Sequence, residues 1–197
     1  MNHRTFVVTA LAAVLLLGAC RREPPPPPPE PTGPTPEELA EAQRIADSIA
    51  AEAARLEAEL AAERAAREAR ERARAVLTQR IHFDFDMSEI RPDAEQILRQ
   101  KVEILRASPN VYVRIEGHCD ERGSNEYNDA LGNRRAQAVV DYLTGFGLDP
   151  SRFTTVSFGE DRPLVRESNE EAWAMNRRAE FIITAGEGDI NPPGRSP

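Results

Sequence analysis

The chemically richest stretch of this chain is Glu116-Gly117-His118-Cys119-Asp120-Glu121-Arg122-Gly123, followed by Glu126-Tyr127-Asn128 and Leu131-Gly132-Asn133-Arg134-Arg135-Ala136. An apolar segment ends at a glycine, a polar loop follows, and a helix begins. Backbone N–H groups at such a helix start favour anions. Asn128, Leu131 and Arg135 are spaced i, i+3, i+7 and share one helix face. A carboxylate from the loop, Asp120, and a guanidinium from the helix, Arg135, therefore converge. Together they suit a zwitterionic ligand, with Asp120 holding an ammonium and Arg135 gripping a carboxylate through two N–H groups. The same pair also fits an internal salt bridge that pins loop to helix. Spacing alone leaves both readings open.

His118, Cys119 and Asp120 also invite a nucleophile or metal reading. Adjacent side chains diverge in an extended segment, so these three form no nucleophile–base–orienter chain by themselves. Beyond His3 and His118 the only histidine is His82. A hydrolytic enzyme using Cys119 is the alternative of a different class, and no second motif supplies its base. No catalytic residue, metal site or cofactor is expected. Arg177 and Arg178 read as anchors of a last strand, and Trp173 as a cap on the core.

The elements that must position these residues follow from periodicity. Ile81 to Phe85 alternates apolar and polar, as a half-buried strand does. Pro92 starts a helix whose apolar face is Ile97, Leu98, Val102 and Leu105. Val111–Ile115 is a second strand. A second helix spans about Glu126 to Phe146, with Leu131, Ala138, Val139, Tyr142 and Leu143 inward. Phe153–Phe158 is a third strand, Glu170–Asn176 a short helical turn, and Arg178–Thr184 the last strand. The expected fold is α+β: a two-layer sandwich of a βαβαβ-type sheet and two main helices.

The chain has 197 residues, but only 40% are hydrophobic and 6% aromatic, so one part of it must hold most of the core. Nine of its 16 prolines fall between Pro24 and Pro36. The net charge of −8 argues against nucleic acid as a partner, because phosphate binding needs a basic surface. Two cysteines, Cys20 and Cys119, exclude a disulfide scaffold.

The N-terminus pairs Arg4 with an apolar run from Phe6 to Leu17, shorter than the roughly 20 residues a spanning helix needs. That is a secretory signal. Its end, Leu17-Gly18-Ala19-Cys20, resembles the lipobox of bacterial lipoproteins, which implies cleavage before Cys20 and lipid on its thiol. Arg21 in place of aspartate implies sorting to the outer membrane. Residues 1–19 are thus the signal and 20–36 the lipidated cysteine with a proline-rich linker, an extended rod. Residues 37–79 form a long charged, alanine-rich helix, begun by Thr35, Pro36 and Glu38. Its a/d seam, Leu39 through Leu60, later turns to charged residues. A solvated single helix and weak self-association through residues 39–60 are both open. Residues 80–186 are the folded domain and 187–197 a disordered tail.

Phe83-Asp84-Phe85-Asp86, the Gly117–Gly123 loop, Glu126-Tyr127-Asn128, Leu131-Gly132, Arg134-Arg135-Ala136, Ser157-Phe158-Gly159-Glu160, Arg162-Pro163 and Asn176-Arg177-Arg178 carry a resemblance. In order and spacing, over about residues 80–184, they resemble the OmpA-like peptidoglycan-binding domain. The lipobox points independently to that family's outer-membrane lipoproteins, those of the Tol–Pal system. The resemblance implies non-covalent binding of the meso-diaminopimelate of the peptidoglycan stem peptide, with Asp120 and Arg135 as the charged pair. It places Phe85 and Asp86 at the border of the same pocket, Leu131 on the ligand's aliphatic stem, and Asn128 as the residue that orients the loop. It implies three partners: diaminopimelate-type peptidoglycan, the outer membrane through Cys20, and the periplasmic Tol propeller protein. The implied location is the periplasmic face of the outer membrane, and the implied role is envelope integrity and cell division. A generic wall-anchoring lipoprotein outside Tol–Pal is the alternative. The chain departs from the family at Cys119, where threonine is usual, and in its long charged helix.

Overall fold

A computed structural model describes residues 33–194. The signal peptide, Cys20, most of the proline-rich linker and the end of the expected tail lie outside the described residues. Residues up to Ala51 and from Glu52 onward form two units, each taken by itself.

Helix α1 spans Pro36–Thr78. Its start is closed reciprocally, as the sequence pattern requires. The Glu38 N–H donates to Thr35 Oγ1 at 3.2 Å, and the Thr35 N–H donates to Glu38 Oε2 at 2.7 Å. The seam residues Leu39, Ile49, Leu56 and Leu60 are all exposed. The C-terminal end differs. Ala73 and Leu77 are buried in the core of the second unit, so that unit begins before residue 80, within the helix. The helix end is fixed by a residue that the apolar pattern passed over. Lys101 is fully buried, and its Nζ donates to the carbonyls of Val76, Leu77 and Gln79, each at 2.7 Å. One ammonium thus gathers three carbonyls at and just past the helix terminus, where acceptors lack intrahelical partners. Its charge also lies 3.6 Å from the centre of the Phe181 ring.

Strand β1 is only Ile81–His82, shorter than the alternation to Phe85 predicts. Phe83 still donates its N–H to the Arg177 carbonyl at 2.9 Å. The chain then turns: Asp86 takes φ 56°, in the left-handed region, and the Met87 N–H donates to the Asp84 carbonyl. Pleat alternation continues in the sequence, but this turn takes Phe85 off the sheet. Helix α2 is Pro92–Ala107, β2 Tyr112–His118, α3 Asn125–Gly145, β3 Phe153–Gly159, α4 Glu170–Asn176 and β4 Arg178–Ala185. The sheet order is β1-β4-β2-β3. β4 is antiparallel to both its neighbours, and β2 and β3 are parallel, joined by α3 as crossover. The α+β two-layer sandwich is therefore the observed architecture.

On the helix face of the sheet, Val113 and Ile115 of β2 and Phe181 of β4 pack with Leu98, Val102, Leu105, Val139 and Leu143. Ala138, expected inward, is only half-buried, and Ala136 is fully buried instead. α3 lies directly on β2. A Cβ on Gly117 would stand 1.9 Å from the Gly132 carbonyl oxygen, and one on Gly132 would stand 2.2 Å from Ser157 Oγ. Two facing glycines thus set how close the helix comes to the sheet.

The expected disordered tail is corrected for residues 187–194. After Gly186 a 3-10 turn, Glu187–Asp189, leads Ile190 into the core at 3% exposure. Asn191 donates its N–H to Ser108 Oγ at 2.8 Å and its Nδ2 to the Ala107 carbonyl at 3.1 Å. Glycine and proline dominate the composition there, yet a single apolar residue with one polar neighbour is enough to dock the segment.

Candidate functional site

The turn after β1, the loop after β2 and the first half of α3 enclose a cleft of about 180 Å³. It is lined by Phe85, Asp86, Cys119, Asp120, Arg122, Gly123, Tyr127, Asn128, Leu131 and Arg135. All six residues read from the sequence, Phe85, Asp86, Asp120, Asn128, Leu131 and Arg135, are brought to one place. Cys20 lies outside the described residues.

Arg135 projects from α3 and is fully buried. Its Nε donates to the Met87 carbonyl at 2.9 Å, its Nη1 to the His118 carbonyl at 2.8 Å and its Nη2 to the Asp84 carbonyl at 3.1 Å. Nη1 also meets Cys119 Sγ at 3.4 Å. Every one of these partners is neutral. Arg135 has no carboxylate partner among the described residues, and burial pulls its pKa down.

Asp120 is 4% exposed and its carboxylate is filled. Oδ1 accepts from the Arg122 N–H and Nε, both at 3.1 Å. Oδ2 accepts from Arg122 Nη2 at 2.7 Å and Arg177 Nη1 at 3.2 Å. Burial acts to raise its pKa, but the bonds from Arg122 and then Arg177 outweigh burial and hold it below the ordinary carboxylate value. Of the two readings that spacing left open, the internal Asp120–Arg135 salt bridge is not formed among the described residues. The bridge exists, but with Arg122 and Arg177, so it pins the loop to itself and to the start of β4. Arg177 does more than anchor β4: it also donates to the Phe83 carbonyl at 3.2 Å and to Glu170 at 2.9 Å. Arg122 lies between two rings, 4.0 Å from Phe85 and 4.2 Å from Trp173. Trp173, read as a core cap, is only half-buried and donates its Nε1 to Glu121.

Asn128 Nδ2 reaches the carbonyls of Asp120 and Arg122, both at 3.2 Å, and Glu160 Oε2 at 2.6 Å. It ties the loop to the start of α3. Leu131 is 4% exposed and supplies the apolar wall. At the mouth, Phe85 is 53% exposed, and the Tyr127 hydroxyl donates to Asp86. Cys119 Sγ donates to the Asn128 carbonyl at 3.3 Å, and burial pushes its pKa up to about 11. A thiol held protonated with no imidazole partner is a poor nucleophile.

Two groups that matter here were not assigned from the sequence. Arg122 and Tyr127 lay inside the quoted motifs without a role, and i+2 spacing from Asp120 was the available signal for Arg122. Arg177 lies 57 residues from Asp120, and no local pattern reveals a contact of that separation.

Residues 82–177 match the OmpA family. The chain belongs to that family, and the matched stretch holds α2, β2, α3, β3, α4 and every residue that lines the cleft. Among individual proteins it is similar to the peptidoglycan-associated lipoprotein of Agrobacterium fabrum, 43% identical over 104 residues, or 53% of this chain and 59% of that one. The peptidoglycan-associated lipoprotein of Haemophilus influenzae is 46% identical over 99 residues, 50% of this chain and 65% of that one. The match thus spans less than two thirds of these relatives. The crystal structure of the peptidoglycan-associated lipoprotein from Burkholderia pseudomallei superposes with TM-score 0.53 at 35% identity, covering 54% of this chain and 90% of that one. The C-terminal domain of Helicobacter pylori MotB, at 20% identity and TM-score 0.52 over 56% of this chain and 88% of that one, shares the fold alone.

Proposed function

We propose that the cleft binds the diaminopimelate side chain of the peptidoglycan stem peptide without covalent chemistry, and that the chain tethers the outer membrane to the cell wall. The observation that carries this reading is the charge arrangement in the cleft. Arg135 is a buried cation without a carboxylate partner among the described residues, and Asp120 is a buried anion lining the same cleft. A carboxylate of the ligand compensates Arg135, which is costly to bury uncompensated. The ligand's ammonium approaches Asp120 in exchange for Arg122, whose guanidinium then turns outward over Phe85. Leu131 and the exposed Phe85 ring cover the aliphatic stem. The names of the relatives support the wall as the source of the ligand.

In the same reading Cys20 carries the lipid, the protein faces the periplasm from the outer membrane, and a periplasmic Tol propeller protein is a partner in envelope integrity and cell division. The exposed seam Leu39–Leu60 supports weak self-association. The role is binding rather than turnover.

The test is co-sedimentation of the full chain with diaminopimelate-type and with lysine-type peptidoglycan. Binding is expected to be stronger to the first, because lysine lacks the second carboxylate. Phe85→Ala, at an exposed position outside the core, is expected to weaken binding several-fold. Arg135→Met is expected to abolish it in protein shown by circular dichroism to be folded. Equal binding to both walls refutes the assignment of Arg135, and unchanged binding by Phe85→Ala refutes the cleft. A pull-down with the Tol propeller protein tests the partner.

A further inference from the structure

The sheet face turned away from the helices carries a cluster that the cleft does not use. Glu116 on β2 and Glu180 on β4 are direct register partners. His118 follows Glu116 by two residues and projects to the same face. One ligand atom from each of the three lies within 4.8 Å of the other two. Two like charges opposite each other on adjacent strands repel, so the pairing needs a reason.

His118 supplies the independent observation. It is 2% exposed, and neither Nδ1 nor Nε2 has a hydrogen-bond partner among the described residues. Its ring is held by Phe158, stacked with centroids 5.6 Å apart. A buried imidazole with both nitrogens idle carries a desolvation cost that a ligand on one of them relieves. Burial first, and then Arg178, holds its pKa down to about 4, so at neutral pH the ring offers a lone pair.

Arginines steady the two carboxylates from one side only. Arg114 reaches Glu116 Oε1 through Nε at 2.8 Å and Nη2 at 2.7 Å. Arg80 and Arg178 reach Glu180 Oε1 through their Nε atoms at 3.0 and 2.7 Å. All of these bonds fall on Oε1, so Oε2 of each carboxylate is left for another cation. Outer partners of this kind orient metal ligands and keep them ionised. Hard cations such as Ca²⁺ and Mg²⁺ need about six oxygens, more than two carboxylates supply. One imidazole with two carboxylates is a donor set for four-coordinate zinc, with water in the fourth position. Zinc bonds of about 2.0–2.1 Å in a tetrahedron set ligand atoms about 3.3 Å apart, so the donors close by about 1.5 Å at most.

We propose that Glu116, His118 and Glu180 form a site for one first-row divalent metal ion, with zinc the ion that fits the donors. The site is separate from the cleft and does not depend on the proposed wall ligand. It adjoins the cleft through one residue: the His118 carbonyl accepts from Arg135 Nη1 at 2.8 Å. Metal on the ring therefore stiffens the strand end that holds Arg135.

The experiment is a calorimetric titration of the chelator-stripped full chain with zinc chloride, with cobalt(II) absorption as a second probe. One ion per chain, micromolar or tighter, and a raised melting temperature are expected. Affinity is expected to fall at least tenfold in His118→Asn and in Glu180→Gln, and to stay within twofold of the parent in His82→Asn. Glu180→Gln keeps side-chain volume at a position 18% exposed and decides the matter if His118→Asn fails to fold. The cobalt spectrum is expected to show d–d bands without a thiolate charge-transfer band. Absence of binding, binding that survives Glu180→Gln, or a thiolate band assigning the ion to Cys20 or Cys119 overturns the site.

Discussion

Replacing Lys101 with methionine tests the junction of α1 with the domain. The substitution keeps the unbranched stem in the core and removes the ammonium. Three charge-assisted bonds at 2.7 Å are lost, each worth about 1.5–3 kcal/mol. Their gross loss is about 5–9 kcal/mol. Against it stands the cost of keeping an ammonium out of water, several kcal/mol, which the methionine no longer bears. That cost is visible in the Lys101 pKa, which burial pulls well below the usual lysine value. The Val76 and Gln79 bonds are only partly buried, so those carbonyls turn to water, while the bond at Leu77 is buried. The net loss is then about 2–4 kcal/mol, or roughly 5–15 °C in melting temperature for a folded unit of this size. Thermal and urea unfolding of the purified chain measure it. Hydrogen exchange at the last turn of α1 locates it, with protection expected to fall there more than in β2 or β4. A variant as stable as the parent, with the helix end equally protected, refutes the view that this lysine holds the helix.

Other perturbations probe other parts. Gly117→Ala is expected to cost about 3 kcal/mol, since its Cβ would stand 1.9 Å from the Gly132 carbonyl oxygen, a helix backbone atom that cannot swing aside; a urea midpoint within error of the parent argues against close helix–sheet contact. Asp120 has a lowered pKa in the folded state, so its contribution is present above the unfolded value near 4 and disappears as pH falls through the folded one. Acid unfolding of Asp120→Asn is therefore expected to show a shallower limb below about pH 4, by up to one proton; an identical limb refutes the bridge to Arg122 and Arg177. Ile49→Asp with Leu56→Asp is expected to leave the melting temperature of the folded domain unchanged, as both residues are exposed on α1. The same pair is expected to remove any concentration dependence in sedimentation.

Much of the architecture was legible because it is written in local patterns. The cap Thr35–Glu38, the i, i+3, i+7 face of α3 and the apolar face of α2 each need only a few neighbouring residues to be recognised. The facing helix residues Asn128, Leu131 and Arg135 reach one cleft for the same reason. What escaped depends on tertiary partners. Lys101 stands three residues after Leu98 and four before Leu105, on the apolar stripe, but a lysine there has no meaning until the end of α1 is placed beside it. The hold that Arg177 takes on Asp120 was not legible, because Arg177 follows α4 at a sequence distance of 57 residues. β1 stopped early because a left-handed Asp86 turns the chain, and alternation has no signal for that. Ile190 was lost in a glycine- and proline-rich composition that an average reads as disorder.

The Lys101 clamp has a mechanical side. A tension applied along α1 reaches the domain at its last turn, where three carbonyls meet a single nitrogen. Bonds that share one donor carry load together, so the helix end resists until all three give way at once, unlike a strand that unzips bond by bond. Leu77, buried beneath them, must leave the core in the same step. The joint thus behaves as a pin, and the force that opens it is set by the rupture of one concerted contact.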